Sequence, residues 1–313
     1  MARKFLVIRG APPLETTILN ASNHHFQKYL SWLERQPLSS QTRRAYRSRT
    51  NHFLSFLSAS GEDVGVLVQT ERERAHVLRE YKQYLKLELR SSPATVNAYL
   101  TAIDHFFEFL GSKSACGKVP REELPQEAPR ALTKEEQKRF LRAVAACRRS
   151  KDRAVAILLL YTGIRISECA ALKEHDVSIA GRKNQVIVRN GKGGRYREIP
   201  LNREVKDALG DWIAERNNKF TGKRTDEPLF LNPQGKGLST SSLDLIIRKI
   251  GQSCGLAVSA HVLRHTCLTN LVRNGKDLVL VAEIGGHKRL ETTRRYTLPT
   301  ISDKERAVQE LLE

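Results

Sequence analysis

This chain of 313 residues lacks paired cysteines. Its five cysteines are scattered and odd in number, and none forms a C-x-x-C pair. A disulfide framework and a structural zinc site both need cysteines grouped at characteristic spacings. The sequence therefore predicts neither, and it indicates a reducing compartment such as the cytoplasm. Cys147, Cys169 and Cys267 fall in helical patterns and are expected to be small core residues.

Long apolar runs are missing as well. No stretch approaches the roughly 20 residues needed to cross a bilayer. The N-terminus has only residues 5–8 as an apolar run before Arg9, which is too short for a secretory signal. We therefore expect neither a membrane partner nor export. The hydrophobic fraction of 40% is typical of a globular protein, and the length allows two domains of ordinary size.

Positive charge, in contrast, is in excess. Lys and Arg total 53 against 34 acidic residues, which gives a net charge of +19. Such an excess favours a polyanionic partner, because neutralising phosphates releases condensed counterions. A solvated basic surface, or one attracted to anionic lipid, would have the same composition. Charge alone therefore favours nucleic acid without establishing it.

Changes in composition divide the chain into segments. The first residues show no sustained period, and four helical patterns follow them. A stretch rich in Gly, Ser, Lys, Pro and Glu then precedes a capping box at Thr133 and Glu136, which opens a second domain. The predicted segments are a flexible N-terminal arm (1–20), a helical domain (21–111), an interdomain linker (112–131) and a second domain (132–313).

The second domain is predicted to be mainly α-helical with one small antiparallel β-sheet. Residues 154–160 form an apolar run of the kind found in buried helices. Two β-rich runs, 185–188 and 197–201, flank an Asn-Gly dipeptide that favours a hairpin turn. Residues 302–312 predict a short tail helix with apolar residues on one side.

Four arginines lie along about two turns of the second helical pattern. A solvated charged face would have the same composition. No acidic residue is interleaved to form i,i+4 pairs, however, and this favours contact with phosphate. We therefore predict that these residues bind DNA: Arg43, Arg44, Arg47 and Arg49.

Two cations of the second domain follow breaks in the predicted structure. Arg165 comes just after Thr162-Gly163, which ends the buried helix, and an Arg there is costly unless it is paired or used. Glu168, one turn later, could orient it; a purely structural Arg–Glu pair is the alternative. Lys192 lies among three glycines at the hairpin tip, where a mobile ammonium could reach a phosphate. Gly-Lys-Gly turns are also common on ordinary surfaces.

Two histidine motifs complete the candidate site. His261 and Arg264 are three residues apart on a helix and leave the same face. Imidazole can exchange a proton near neutral pH, and guanidinium can bind two phosphate oxygens. His265 is predicted to pack or to make a supporting hydrogen bond. His287 follows two glycines that should expose it as a phosphate donor, and Tyr296, nine residues later, has a polar setting unlike that of a core aromatic.

Taken together, these motifs resemble the active-site series of the tyrosine recombinases, the phage-integrase and Xer-type family. Thr-Gly-x-Arg-x-Ser-Glu, Gly-Lys-Gly, His-x-Leu-Arg-His and Gly-His followed nine residues later by Tyr match position for position. The first domain is similar to the family's core-binding domain at Thr42-x-x-x-Tyr46 and at 92–97. Gly285 stands where the family often has Leu, and the two residues before Tyr296 are more basic than usual. The resemblance implies a two-domain DNA clamp, with a helical core-binding domain and a catalytic domain.

The resemblance also implies a mechanism without a metal, ATP or another cofactor. Tyr296 would attack the scissile phosphate to form a 3′-phosphotyrosyl link, and His261 would accept its proton. Lys192 would protonate the leaving 5′-oxygen. The implied partners are double-stranded DNA and further copies of the chain, or of a related recombinase, in a tetramer on two duplexes at the nucleoid. The residues expected to stabilise the transition state are Arg165, Arg264 and His287.

Two alternatives from other classes stay open at this point. A type IB topoisomerase has a similar catalytic set but relaxes supercoils as a monomer. A catalytically silent DNA-binding protein is a weaker alternative, because no member of the series is missing. The tail helix is expected either to dock on a neighbouring protomer or to pack on its own domain. Neither the target sequence nor the choice among integration, excision, resolution and transposition can be read from the motifs.

Overall fold

The structure, a computed structural model, describes residues 16–112, 116–124, 128–179, 183–189, 196–220, 227–287 and 289–299, together with positions 303, 305, 308 and 309. The chain forms two compact units, Met1–Pro125 and Gln126–Glu313. Within the described ranges, no helix is both long enough and apolar enough to cross a membrane.

The first unit is helical throughout its described elements. Ser39 caps the second helix by accepting a hydrogen bond from the Thr42 amide at 3.1 Å. Ser92 caps the fifth helix in the same way, with Pro93 at its first position. The helices are α1 Thr16–Glu34, α2 Ser40–Ser60, α3 Val64–Gln69, α4 Glu71–Leu87 and α5 Pro93–Phe109.

Aromatic side chains fill the core of the first unit. Tyr29, Phe53, Tyr81 and Phe106 are fully buried, and the rings of Tyr29 and Phe106 meet edge to face with centroids 5.1 Å apart. The hydroxyls of the two buried tyrosines find hydrogen-bond partners in the histidine rings of α2 and α5. The helical patterns of the sequence therefore correspond to faces that pack on one another.

Two boundaries differ from those predicted. Helix α1 begins at Thr16, so residues 16–20 are helical rather than part of a flexible arm, and the rest of the predicted arm lies outside the described residues. The predicted linker also packs in part. Cys116 and Val119 are buried in the first core, and the Cys116 amide donates to Asp104 of α5 at 2.6 Å. Composition did not reveal these specific contacts.

The second unit is mainly helical with one three-stranded sheet in its described part, which confirms the predicted fold class. Its helices are α6 Lys134–Ala145, α7 Ser150–Thr162, α8 Ile166–Ala171, α9 Arg203–Lys219, α10 Thr240–Ser253, α11 Ala260–Arg273, α12 Leu278–Gly285 and α13 Leu290–Arg294. Its strands are β1 Val177–Ser178, β2 Gln185–Val188 and β3 Arg197–Pro200. Two 3₁₀ turns, Glu174–Asp176 and Arg295–Thr297, complete the described elements.

The sheet is antiparallel in the order β1-β2-β3. Val186 pairs with Ile199, and both side chains are buried in the core, because directly paired residues of neighbouring strands lie on the same face of the sheet. Arg197 lies two residues before Ile199 and so shares that buried face. Residues 190–195, which include the predicted hairpin tip, lie outside the described part of the chain.

Helix α7 is the centre of the second core. It is buried nearly all round, as its apolar sequence predicts, and it packs against α9 and α11. It ends at Gly163, which has φ +61° and donates its amide to the Leu159 carbonyl. This left-handed residue turns the chain so that Arg165 stands at the start of α8. In the predicted tail helix, Asp303 forms an ion pair with Arg273 at 2.7 Å. Most of the apolar residues predicted on one side of that helix lie outside the described residues.

Candidate active site

Three guanidinium groups from separate elements meet at the C-terminal end of α12. The last carbonyls of a helix have no intrahelical partner and carry the negative end of its dipole, so they attract cations. Here three consecutive carbonyls each accept from a different arginine: Ile284 from Arg197 Nε (3.0 Å), Gly285 from Arg264 Nη2 (2.7 Å) and Gly286 from Arg165 Nη2 (2.8 Å).

Arg165 is held from two sides. It is the N-cap of α8, and its amide donates to Glu168 Oε2 at 2.8 Å. Its Nη1 donates to Glu168 Oε1 at 2.9 Å, so the pair expected from the sequence is present. The side chain is also held by the Gly286 carbonyl and remains partly exposed. The Arg–Glu pair therefore orients Arg165 without enclosing it.

Arg197 is a member of the site that was not predicted from the sequence. Its Nη2 lies 2.7 Å from Glu168 Oε2 and its Nη1 3.2 Å from Glu168 Oε1. Burial disfavours ionisation of the Glu168 carboxylate, but hydrogen bonds from Arg197 and Arg165 outweigh it and lower the pKa of Glu168. Arg197 lies two residues before the apolar Ile199 in a predicted strand, so it could have been expected on the buried face of the sheet. A buried arginine at that position could have pointed to this site.

Arg264 lies deepest of the three arginines. Its Nη1 donates to the Gly163 carbonyl at the end of α7, and its Nη2 donates to the Gly285 carbonyl. Burial, followed by repulsion from Arg165, lowers the pKa of Arg264 to about 10. The group is still a cation at neutral pH, and it links the end of α7 to the end of α12.

His287 was expected to be exposed, and this expectation is wrong. Gly286, with φ +61°, folds the chain back so that the His287 amide donates to the Ala282 carbonyl at 2.9 Å, and the ring is buried. Its Nε2 lies 2.9 Å from Arg264 Nη2. Since guanidinium can only donate, Nε2 must accept. Nδ1 then carries the proton and donates to Thr293 Oγ1 at 2.8 Å.

The electrostatics agree with a neutral His287. Burial, followed by the charge of Arg264, lowers the pKa of His287 to about 4. The ring therefore presents a lone pair to Arg264 at physiological pH. To donate to a phosphate, as predicted from the sequence, the ring would have to exchange Arg264 for the phosphate.

Tyr296 is also more buried than its polar sequence neighbours suggested. Only 6% of the residue is exposed, and its ring packs against Leu268 and Val281. The 3₁₀ turn Arg295–Thr297 directs Tyr296 inwards while Arg295 stays exposed. Its hydroxyl is not in apolar surroundings, because Oη lies 2.9 Å from His265 Nδ1. Burial raises the pKa of Tyr296, although the charge of Arg264 opposes the shift.

The two histidines of α11 differ in setting. His265 is buried, and burial together with the nearby His261 lowers its pKa to about 3, so its ring is neutral. His261 is exposed at the start of the helix and stacks edge to face on His265 with centroids 4.0 Å apart. Within the described residues, no hydrogen bond joins His261 to Tyr296. Lys192 lies outside the described residues.

In the first unit, Arg43, Arg44 and Arg47 lie on one surface of α2, and Arg49 lies apart from them. Arg44 and Arg47 are exposed. Arg43 instead pairs with Glu34 at 3.3 Å and donates to its carbonyl at the end of α1. Arg49 lies 5.9 Å from the centre of the Tyr99 ring. The acidic partner of Arg43 lies on α1, so it does not stand at an i,i+4 position on α2.

A profile of the phage integrase family matches residues 130–302, which is more than half of the chain. The chain belongs to this family. The recombinase is 31% identical over 284 residues to the tyrosine recombinase XerC of Pediococcus pentosaceus, across 87% of this chain and 91% of the relative. It is 26% identical over 292 residues to the tyrosine recombinase XerA of Thermococcus kodakarensis, across 92% and 95% of the two chains.

A solved structure shares the fold. The XerH site-specific recombinase bound to its difH substrate matches with a TM-score of 0.68 and 22% identity, over 94% of this chain and 90% of that one. Tyrosine recombinases cleave and rejoin DNA through a tyrosine intermediate, so the comparisons confirm the predicted family and reaction class. They do not support the topoisomerase or silent-binder alternatives.

Proposed function

We propose that this recombinase cuts one DNA strand at a time with Tyr296 and rejoins it through a 3′-phosphotyrosyl intermediate. One observation carries the proposal: the Tyr296 hydroxyl lies against α11 beside Arg264, where guanidinium groups from three elements converge. A phosphodiester that enters this region meets concentrated positive charge and a phenolic oxygen in one place.

Arg165 and Arg264 are suited to hold the scissile phosphate. Each donates one Nη2 hydrogen to a carbonyl of α12 and keeps further N–H donors. Guanidinium groups fixed in this way lose little freedom when a phosphate binds, and they stabilise the extra charge on its oxygens in the transition state. His287 would join them after leaving Arg264.

The phenol must lose a proton as it attacks, because its own pKa is high and burial raises it further. From its sequence motif, His261 was predicted to accept this proton. The geometry supports His265 instead, since its Nδ1 lies 2.9 Å from Tyr296 Oη and its ring is neutral. A bound phosphate would offset the charge of Arg264 and make His265 more basic. His261, exposed nearby, remains able to contact a phosphate oxygen.

Lys192 is proposed to protonate the leaving 5′-oxygen. The position of Arg197 at the start of β3 supports this role, because its Nε donates to the Ile284 carbonyl in the site. Lys192 is five residues before Arg197. Five residues span at most roughly 18 Å, at about 3.3–3.6 Å per extended residue.

Double-stranded DNA is the proposed partner. The XerH structure is of a complex with its difH substrate, and a lambda integrase that matches with a TM-score of 0.66 is a dimer bound to a core site. The net charge of +19 and the exposed Arg44 and Arg47 fit this partner. Exchange between two duplexes needs four strand cleavages, and each chain offers one Tyr296. We therefore propose a tetramer on two duplexes, acting in the cytoplasm at the nucleoid.

The proposal is tested by covalent capture. The protein is incubated with fragmented genomic DNA from the organism that encodes it, denatured, and the DNA that stays attached is sequenced. We expect fragments that end at a shared short sequence, and none with Tyr296→Phe as control. A synthetic duplex of that sequence, nicked next to the cleavage point, should then accumulate the adduct. Equal recovery of DNA from both proteins would contradict the proposal.

A further inference from the structure

Arg197 is a charged residue of the site, and the reaction described above gives it no role. It is 7% exposed and touches three acceptors at once: both oxygens of Glu168 and the Ile284 carbonyl. It therefore joins β3, α8 and α12, which are distant in sequence. A buried arginine with this many fixed contacts orients its neighbours more rigidly than a surface ion pair does.

We propose that Arg197 is a positioning residue for DNA cleavage, which holds Glu168 so that Arg165 faces the phosphate and holds the α12 terminus, which positions His287. The inference rests on the proposed function, since it assigns Arg197 a role in that reaction. The hydrogen bonds of the Arg197 side chain go to Glu168 and to the Ile284 carbonyl, and Tyr296 is not among these acceptors.

The first path runs through Glu168. Its carboxylate accepts from Arg197 on one side and from Arg165 on the other, with all four contacts between 2.7 and 3.2 Å. Glu168 is almost completely buried. The Arg197 guanidinium holds both oxygens of this buried carboxylate, and Arg165 adds one guanidinium contact and one backbone amide. A carboxylate held in this way has one stable orientation, and this fixes the direction of the Arg165 guanidinium.

The second path runs through α12. Arg197 Nε holds the Ile284 carbonyl two residues before Gly286, where the chain turns towards His287. A Cβ added to Gly286 would lie 2.9 Å from Arg197 Nη1 and 3.3 Å from Arg165 Nη1. The backbone of this turn thus packs directly on both guanidinium groups, and its position depends on where Arg197 stands.

Lysine cannot replace this geometry. An ammonium is a point charge with three donors and no planar fork, so it cannot serve both oxygens of Glu168 and the Ile284 carbonyl in the same plane. Arg197→Lys keeps the charge and tests the geometry alone. Arg197→Met keeps much of the aliphatic volume and removes both the charge and the hydrogen bonds.

The experiment measures the rate of adduct formation on the nicked duplex under single-turnover conditions with saturating DNA. The dissociation constant for the same duplex is measured in parallel. Because a misplacement of about 1 Å can cost roughly 100-fold in rate, we expect Arg197→Met to cleave about 100-fold more slowly and Arg197→Lys about 10-fold more slowly. DNA affinity should change less than twofold in both. Arg203→Met is the matched control, since its side chain is 91% exposed and it should cleave like the wild type.

A pH profile separates positioning from a loosened fold. The described charged groups around Glu168 are the guanidiniums of Arg165, Arg197 and Arg264, with His287 behind the last. In Arg197→Lys, one of the two arginines that lower the pKa of Glu168 is lost. The carboxylate should therefore take up a proton at higher pH and then release Arg165. The acid limb of the cleavage profile should therefore move to higher pH in Arg197→Lys. A double variant with Glu168→Gln should be little slower than the slower single variant.

The outcomes are distinct. If the wild type forms no adduct, the proposed function fails. If the wild type forms it and Arg197→Met cleaves within twofold of its rate, the positioning role is wrong. The role is also wrong if cleavage falls only as DNA affinity falls, or equally at every pH. Should Arg197→Met not fold, as judged by circular dichroism, Arg197→Lys decides: a rate equal to that of the wild type overturns the inference.

Discussion

The hydroxyl of Thr293 is the partner that fixes the protonation of His287. It lies fully buried, 2.8 Å from His287 Nδ1, on the side of the ring away from Arg264. Thr293→Val replaces the hydroxyl by a methyl group of nearly the same size. The Nδ1 proton then loses the Thr293 hydroxyl as its acceptor, and the other tautomer would point a proton at the Arg264 guanidinium. Either state is unfavourable.

The magnitude follows from the loss of one buried hydrogen bond. Leaving a buried N–H without a partner costs about 1–3 kcal/mol. If the full cost falls on the transition state, cleavage slows by about 5- to 150-fold, since about 1.36 kcal/mol is a factor of ten. If it falls on the folded state, the melting temperature of the unit drops by about 2–4 °C per kcal/mol. We expect a slower cleavage with a small drop in melting temperature.

The assay is the rate of adduct formation on a nicked duplex, with a thermal melt of the same protein. Thr292→Val is the matched control, because it makes the same chemical change one residue earlier on an exposed side chain. The control should cleave and melt like the wild type. If Thr293→Val also does so, the hydrogen bond from His287 to Thr293 does not hold the ring, and our account of its tautomer is wrong.

Two further predictions concern stability and DNA affinity. Gly163→Ala should lower the free energy of unfolding by about 1 kcal/mol or more, because φ is +61° and the new Cβ would lie 3.2 Å from Cys267 Sγ; an unchanged melt would contradict this. Replacing Arg44 and Arg47 by Gln should make DNA affinity less dependent on salt. The negative slope of log affinity against log salt should become shallower by about 1 for each phosphate that is no longer neutralised. Arg43→Gln should change it less, since Glu34 already pairs with Arg43; equal effects would refute the distinction.

Local sequence signals predicted the elements that carry the site. The capping box at Thr133 and Glu136 is present at the start of α6. The apolar run of α7 is buried, and the Thr-Gly break after it places Arg165 at the start of α8. These features depend on residues close in sequence, which is why capping and hydrophobic period could reveal them.

The contacts within the site could not be predicted in the same way. Arg197 meets the Ile284 carbonyl across 87 positions, and Tyr296 meets His265 across 31. Such pairs arise only from tertiary packing. The burial of Tyr296 was missed for a related reason: its exposed neighbours describe the surface of the turn, while the side chain between them points the other way.

The central claim is that Tyr296 becomes covalently joined to DNA. The most direct test digests the captured adduct with protease and nuclease and locates the nucleotide by mass spectrometry. We predict a nucleotide on the peptide that contains Tyr296, joined through its 3′-phosphate, and a new 5′-hydroxyl on the other DNA end that a kinase labels without prior phosphatase. A nucleotide on any other residue, or a link through a 5′-phosphate, would contradict the account.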